Sequence, residues 1–266
     1  MTNFDALLRA FTDELAAGGA RPQTIALRRW QLRRLAADHP GRHVLTLGPA
    51  DLAAWLGGQG WGPETLRSYR SAARTFYSWC VDAGHLDLDP ARRLRPIRPT
   101  VPAPRAAADR VIDAALARAT PRVRVMLLLA STCGLRRGEI AAVHTSDVEP
   151  DPDGWSLRVN GKGGRIRTVP MPAIVAAAIA AAEPGWLFPN GLGGHLTPAH
   201  VGKLMRRTLG TATAHQLRHR YATTIYRKTG KVEAVRQLLG HASLVTTQRY
   251  IAVDQAELRA AAETAA

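Results

Sequence analysis

Apolar residues in the first part of the chain recur every three or four positions, which is the spacing of amphipathic helices. The pattern predicts helices over residues 3–17, 22–37, 49–56 and 63–83. A glycine pair ends the first of these, and a proline opens each of the other three, where proline is preferred. We therefore predict a small all-helical domain in this part of the chain.

A segment rich in proline and arginine follows, with the sequence ARRLRPIRPTVPAPR. Prolines stiffen and extend a linker, and arginines can lie along a phosphate backbone. We expect a helical domain at 1–95, a linker at 96–106 and a second domain at 107–266.

The second domain mixes two apolar periods. Helical spacing predicts helices over 107–119, 121–132, 173–182 and 197–209 and from about Arg136, as well as later in the chain. Between them, two stretches alternate apolar and polar residues around a glycine-rich turn, NGKGG, which predicts a β-hairpin. The expected fold class is mainly α, with a small antiparallel β-sheet in the second domain.

The last fifth of the chain predicts a helix that carries His215 and Arg218, then an apolar run over 232–239 that ends at Gly240. The tail, 254–266, is alanine-rich and lightly amphipathic. It has little core of its own, so we expect it to form a short helix that packs on a neighbouring subunit.

Net charge changes the picture, because the chain carries +15 at neutral pH with a pI near 11.1. A chain this basic is expected to meet nucleic acid or another anionic surface. Its two cysteines, Cys80 and Cys133, lie in apolar helical contexts without metal spacing, so we expect buried thiols in a reducing compartment. With no signal peptide and no membrane-length apolar run, we expect a cytoplasmic location.

A set of six polar residues carries the candidate chemistry: Arg136, Lys162, His215, Arg218, His241 and Tyr250. His215 and Arg218 share one face of their predicted helix. On one straight helix, His241 and Tyr250 would lie on opposite faces, so a bend after Gly240 is needed to bring them together.

Several common sites are not indicated by these residues. His215 and His219 have the spacing of a two-histidine zinc pair, but the glutamate that should follow the first histidine is absent. The sequence contains no Walker loop and no GxSxG nucleophile turn. We therefore expect neither a metal nor a nucleotide cofactor.

Phosphoryl transfer to a tyrosine fits this residue set. Guanidinium groups can hold the negative charge that spreads over nonbridging oxygens in the transition state. A tyrosine oxygen can attack and later leave, a lysine can protonate a departing 5′ oxygen, and a histidine can accept the phenolic proton. A phosphotyrosine conserves bond energy, so strands can be rejoined without ATP.

Four motifs occur in order along the chain: TCGLRRGEI, NGKGGRIRTVPM, HQLRHRYAT and LGHASLVTTQRY. With them the chain resembles the tyrosine recombinases, the group of phage integrases and Xer-type recombinases, over nearly its whole length. The N-terminal helical domain is similar to the core-binding domain of that family.

The resemblance implies a role for each residue. Tyr250 would attack the scissile phosphate, form a 3′-phosphotyrosyl link and release a 5′ hydroxyl. His215 would accept the proton of Tyr250, and Lys162 would protonate the leaving oxygen. The nonbridging oxygens would be held by Arg136, Arg218 and His241, with Glu139 orienting Arg136.

The resemblance also implies partners. Two domains would clamp double-stranded DNA, and four protomers would exchange strands through a Holliday junction, with each C-terminal helix docked on the next protomer. It leaves room for an accessory DNA-bending or directionality factor. The biological task would be integration or excision of a mobile element, or dimer resolution.

Arginines of the N-terminal domain and linker are the candidate phosphate contacts, although a solvated face is the competing explanation. They are Arg28, Arg29, Arg33, Arg67, Arg70, Arg74, Arg95 and Arg98.

Two other functions are compatible with parts of this pattern. One is a type IB topoisomerase, which relaxes supercoils without exchanging strands. The other is a non-catalytic DNA-binding or architectural protein on the same scaffold, although such a protein has no use for a tyrosine nucleophile.

Replacement of Lys162 by alanine tests its assigned role as proton donor. We expect Lys162→Ala to slow cleavage of normal DNA by about 10²–10⁴-fold, the usual contribution of a general acid. A 5′-thio leaving group needs no proton and should restore the rate. The oxygen-linked duplex is the matched control, and absence of rescue would remove the acid role.

Overall fold

The computed structural model describes residues 3–98, 106–161, 164–241 and 263. The chain divides into two compact units, Met1–Pro102 and Ala103–Ala266. Each unit has its own hydrophobic core. Within the described ranges, no helix combines the length and the apolar character needed to cross a bilayer.

The first unit is built from four helices: α1 (Phe4–Ala17), α2 (Pro22–Ala37), α3 (Pro49–Gly58) and α4 (Pro63–Asp82). A proline occupies the first position of each of the last three, where its missing N–H has no helical partner to lose. Their apolar faces meet in a core that includes Phe11, Leu52, Phe76 and Tyr77. These helices confirm the pattern read from the sequence to within one or two residues.

The second unit begins with three helices: α5 (Asp109–Arg118), α6 (Pro121–Thr132) and α7 (Arg137–Ala141). Three strands follow: β1 (Val148–Asp151), β2 (Gly154–Asn160) and β3 (Ile166–Met171). Four helices complete the described part: α8 (Ala173–Ala180), α9 (Pro198–Leu209), α10 (Ala214–Thr229) and α11 (Val232–Leu239). The helices predicted for this unit up to residue 239 are therefore confirmed, whereas the predicted tail helix, 254–266, lies outside the described residues except for residue 263.

The sheet has the strand order β1-β2-β3, and both pairings are antiparallel. In the β2–β3 hairpin, Leu157 pairs with Val169, and both side chains are buried against the core. This confirms the expected fold class. The sequence pattern did not predict β1, because its four residues, VEPD, carry two acids and a proline instead of an alternating apolar pattern. Proline is tolerated there because β1 is an edge strand.

The apolar helix α6 runs through the centre of the second unit and packs against α10 and α9. Its Met126, Leu127 and Leu129 are completely buried, and burial of each such side chain contributes about 1.5–3 kcal/mol. The expected burial of Cys80 and Cys133 is also confirmed.

The turn after α6 requires glycine at residue 134. Gly134 has a φ of 64°, and a Cβ atom there would lie 2.4 Å from Cδ1 of Tyr221. The ring of Tyr221 therefore packs directly on the backbone of this turn. The turn leads into Arg136 and α7, so this contact helps fix where α7 begins.

We expect Gly134→Ala to lower the free energy of unfolding by about 2–4 kcal/mol, because left-handed strain and overpacking add. The matched control is Gly230→Ala at the end of α10, where φ is 63° and nothing lies within 4 Å of the added Cβ. It should cost about 1 kcal/mol, the left-handed penalty alone. Equal losses of melting temperature in the two variants would show that the contact with Tyr221 has no energetic role.

Candidate active site

A buried carboxylate lies at the centre of the site. Glu139 is in the first turn of α7, and its Oε2 accepts a hydrogen bond of 2.8 Å from the backbone N–H of Arg136, which caps the helix. The Glu139 side chain is only 5% exposed. Burial on its own would raise its pKa, but hydrogen bonds and charges from Arg167, with the Arg136 N–H and the Arg218 charge, lower the pKa to about 2. Glu139 is therefore ionised at neutral pH.

Arg136 combines a fixed side with an open side. Its Nη1 donates to Oε1 of Glu139 at 2.8 Å and to the carbonyl oxygen of Leu239 at 3.4 Å. The side chain is nevertheless 36% exposed. One side of the Arg136 guanidinium is thus held against Glu139, and the rest stays exposed, where an anion can bind.

Arg218 is the most deeply buried of the three arginines around Glu139. It projects from α10, its side chain is 1% exposed, and its guanidinium donates to the carbonyl oxygens of Gly134 and Leu239. Its Nη1 lies 3.7 Å from Oε2 of Glu139. One side chain therefore joins the turn before α7 to the end of α11.

His241 follows directly on Gly240, whose φ of 63° ends α11 in a left-handed cap. Its Nε2 lies 3.1 Å from Nη2 of Arg218. Because arginine can only donate, Nε2 accepts, and the neutral ring carries its hydrogen on Nδ1. Burial, then the charges of Arg218 and Arg136, lower the pKa of His241 to about 3, so the ring is neutral at physiological pH.

His215 lies one turn before Arg218 on α10, at the exposed edge of the site. Partial burial, then the charges of Arg218 and Arg136, lower its pKa, so its neutral form is favoured and can accept a proton. Its ring meets that of His219 edge to face, with centroids 4.7 Å apart. His219 itself is buried.

Sequence reasoning missed Arg167, on β3. Its Nη1 and Nη2 each donate to one oxygen of Glu139 at 2.9 Å, and its Nε donates to the carbonyl oxygen of Leu238 at 2.9 Å. The signal was present in the strand period, because Arg167 lies on the same face of β3 as Val169 and Met171, which are buried. A charged residue on the buried face of a strand requires a buried partner.

Lys162 and Tyr250 lie outside the described residues, so the structure does not test their expected positions. It does describe Gly161, the residue before Lys162. Gly161, which precedes Lys162, lies so close to Glu139 that a Cβ there would be 3.8 Å from Oε1.

The eight arginines expected to face phosphate differ in their surroundings. Arg28 donates to the carbonyl oxygen of Ser68 and to Oγ of Ser71, which ties α2 to α4. Arg70 donates to the carbonyl oxygen of Leu94 at 2.7 Å. The remaining six are exposed: Arg29, Arg33, Arg67, Arg74, Arg95 and Arg98.

Acidic, histidine and cysteine side chains do not cluster as metal ligands do. In the part of the chain that the structure describes, no group of three or more such residues could hold a metal ion.

Comparison with known proteins shows which family the chain is similar to. Residues 106–257 match the Phage integrase family. The chain is 37% identical over 264 residues to the tyrosine recombinase XerC of Rhodospirillum centenum, covering 86% of this chain and 76% of the relative. It is 32% identical over 223 residues to the tyrosine recombinase XerD of Caulobacter vibrioides, covering 73% and 72% of the two chains.

A solved structure shows the same fold. The crystal structure of a lambda integrase(75-356) dimer bound to a COC' core site superposes with a TM-score of 0.73 at 19% identity, over 92% of this chain and 94% of that chain. The chain belongs to the phage integrase family. Within that family it is a tyrosine recombinase, an enzyme of site-specific DNA recombination.

The depressed pKa of His241 predicts how stability depends on pH. The unfolded chain protonates His241 below its ordinary pKa of 6.5, whereas the folded protein stays unprotonated down to about 3. Acid therefore favours unfolding, and stability should fall between pH 6.5 and 4 by up to about 1.4 kcal/mol per pH unit from this group. We expect His241→Asn to flatten this dependence in urea unfolding of the full chain.

The matched control is His200→Asn, which removes an exposed histidine from α9 and should keep the wild-type pH dependence. A His241→Asn protein with the wild-type slope would contradict the buried, neutral state of His241.

Proposed function

We propose that this recombinase cuts and rejoins DNA strands through a 3′-phosphotyrosyl intermediate on Tyr250, and exchanges them through a Holliday junction. The observation that carries the proposal is the cluster of three guanidinium groups, from Arg136, Arg167 and Arg218, around the single carboxylate of Glu139. Three positive charges and one negative charge leave an excess of two. Such a cluster is suited to a phosphodiester whose charge grows in the transition state.

The nonbridging oxygens of the scissile phosphate are held by Arg136, Arg218 and His241 in this proposal. The partly exposed guanidinium of Arg136 supports it, as does the position of Arg218 and His241 beside one another. Glu139 acts indirectly, because it fixes the guanidinium of Arg136. The donors are already oriented by protein contacts, so little reorganisation is needed when the phosphate binds.

Proton transfer requires two further groups. His215, which is favoured in its neutral form, accepts the phenolic proton of Tyr250 as the tyrosine attacks. Lys162, on the hairpin between β2 and β3, protonates the departing 5′ oxygen. The cycle needs no metal or nucleotide, because the phosphotyrosyl bond retains the energy for rejoining.

Double-stranded recombination sites are the proposed substrate. Residues 1–95 form a core-DNA-binding domain, 96–106 a linker and 107–266 the catalytic domain. The exposed arginines of the first unit and linker contact phosphates, while Arg28 ties α2 to α4 and Arg70 ties α4 to Leu94. The fold shared with a lambda integrase dimer bound to a core site supports this assignment.

The proposed assembly on DNA is a homotetramer in which the tail, 254–266, docks on the next protomer. An accessory DNA-bending or directionality factor would act with it, and the reaction would take place in the cytoplasm. The buried, reduced thiols of Cys80 and Cys133 are consistent with that location.

The test uses a nicked suicide duplex from the DNA that flanks the gene, because the nick traps the covalent intermediate. Wild-type protein should give a protein–DNA adduct on a denaturing gel, and Tyr250→Phe should bind the duplex with unchanged affinity but give no adduct. Its lack of the nucleophilic oxygen is the only chemical difference.

Tyr226→Phe is the matched control, since it removes a hydroxyl from α10 in the same unit and should retain the adduct. Normal cutting by Tyr250→Phe would overturn the mechanism. Tight binding without an adduct, on both the duplex and a Holliday junction, would instead favour the non-catalytic DNA-binding alternative.

A further inference from the structure

We propose that Arg167 is a positioning residue of the active site, and that it acts through Glu139 and through the end of α11. The inference rests on the function proposed above. It assigns to β3 a part in catalysis that is separate from the Lys162 hairpin loop on the same strand pair.

The contacts of Arg167 reach two separate elements. Both terminal nitrogens engage Glu139, one on each carboxylate oxygen at 2.9 Å, in the side-by-side geometry that arginine and a carboxylate favour. The remaining Nε donates to the carbonyl oxygen of Leu238, at the last turn of α11. With a side chain only 9% exposed, Arg167 joins β3, α7 and α11 inside the protein.

Two glycines make room for this side chain. A Cβ on Gly240 would lie 2.9 Å from Cδ of Arg167, and one on Gly161 would lie 3.5 Å from its Nη1. Arg167 therefore fits between the base of the hairpin and the cap that precedes His241. This close fit sets the distance between the two backbones.

The position of Glu139 depends on this fork. The side chain of Arg136 contacts Oε1 of Glu139, its backbone N–H donates to Oε2, and Arg218 lies 3.7 Å from Oε2. By contrast, the guanidinium group of Arg167 donates to both oxygens. Bidentate binding fixes the plane of the carboxylate, and through it the guanidinium of Arg136. A lysine in place of Arg167 would supply charge but not the planar fork.

The end of α11 depends on the same side chain. Arg167 holds the carbonyl oxygen of Leu238, and the next carbonyl oxygen, of Leu239, accepts from Arg218 and Arg136. His241 stands two residues beyond. Loss of Arg167 should therefore displace the phosphate-binding groups while leaving the DNA-facing surface of the first unit unchanged.

The experiment measures single-turnover cleavage of suicide DNA with protein in saturating excess, and DNA affinity separately. We expect Arg167→Gln to cleave about 100-fold more slowly, the loss typical of an ångström-scale misplacement, with affinity within about threefold of wild type. The cleavage rate of Arg167→Lys should lie between those of wild type and Arg167→Gln. Arg158→Gln, a partly exposed arginine on β2, is the matched control and should cleave normally.

A double variant separates positioning from simple loss of stability. Arg167→Gln alone leaves Glu139 as a buried charge without its fork, whereas Arg167→Gln with Glu139→Gln leaves two neutral amides and should fold. If Arg167 acts through Glu139, the double variant should cleave within about fivefold of the slower single variant. The inference would be overturned if the fold-losses of the two single variants multiplied in the double variant. It would also be overturned if Arg167→Gln cleaved within threefold of the wild-type rate.

The 5′-thio leaving group distinguishes the two routes by which β3 could act. If cleavage slows because Arg136 is displaced, the 5′-thio substrate should not restore the rate, because the phosphate oxygens still lack the Arg136 contact. Rescue would mean that only Lys162 was displaced, which contradicts the route through Glu139. If wild type and Arg158→Gln also give no adduct, the proposed function fails and this inference falls with it.

Discussion

An ionised carboxylate buried in the second unit is the constraint on which the rest of the site depends. Folding removes the Glu139 carboxylate from water, and an isolated buried charge would strongly destabilise the fold. Its environment compensates with a backbone N–H and guanidinium groups that come from α7, β3 and α10. Three elements far apart in sequence must therefore meet at one carboxylate.

The buried arginines in turn require acceptors, because a buried N–H group without a hydrogen-bond partner is costly. Carbonyl oxygens meet this need where helix α11 and the turn after α6 end, at Leu238, Leu239 and Gly134. The C-terminus of a helix carries partial negative charge, so it favours cations. The contacts with Leu238 and Leu239 also place His241, since it follows directly from that helix end.

Much of the site could be predicted from short-range pattern. The spacing of Arg136 and Glu139, the capping position before α7 and the glycine stop at Gly240 are local properties, and the structure shows each of them. Arg167 could not be recognised in the same way, because its partners lie 28 and 71 residues away in sequence. Arg28 was likewise predicted to contact phosphate, because its acceptors on α4 lie 40 and 43 residues away in sequence.

The sequence by itself determined which segments are helices, where the hairpin lies and which motifs carry the candidate chemistry, because periodicity, caps and turns are encoded within a few residues. Only the tertiary structure decided how the charges are shared. Some arginines face solvent, one ties two helices together, and others bind a buried carboxylate. The difference depends on which distant acceptor packs beside each arginine. Edge strand β1 shows the same principle, since its pairing comes from the register of β2 and not from its own residues.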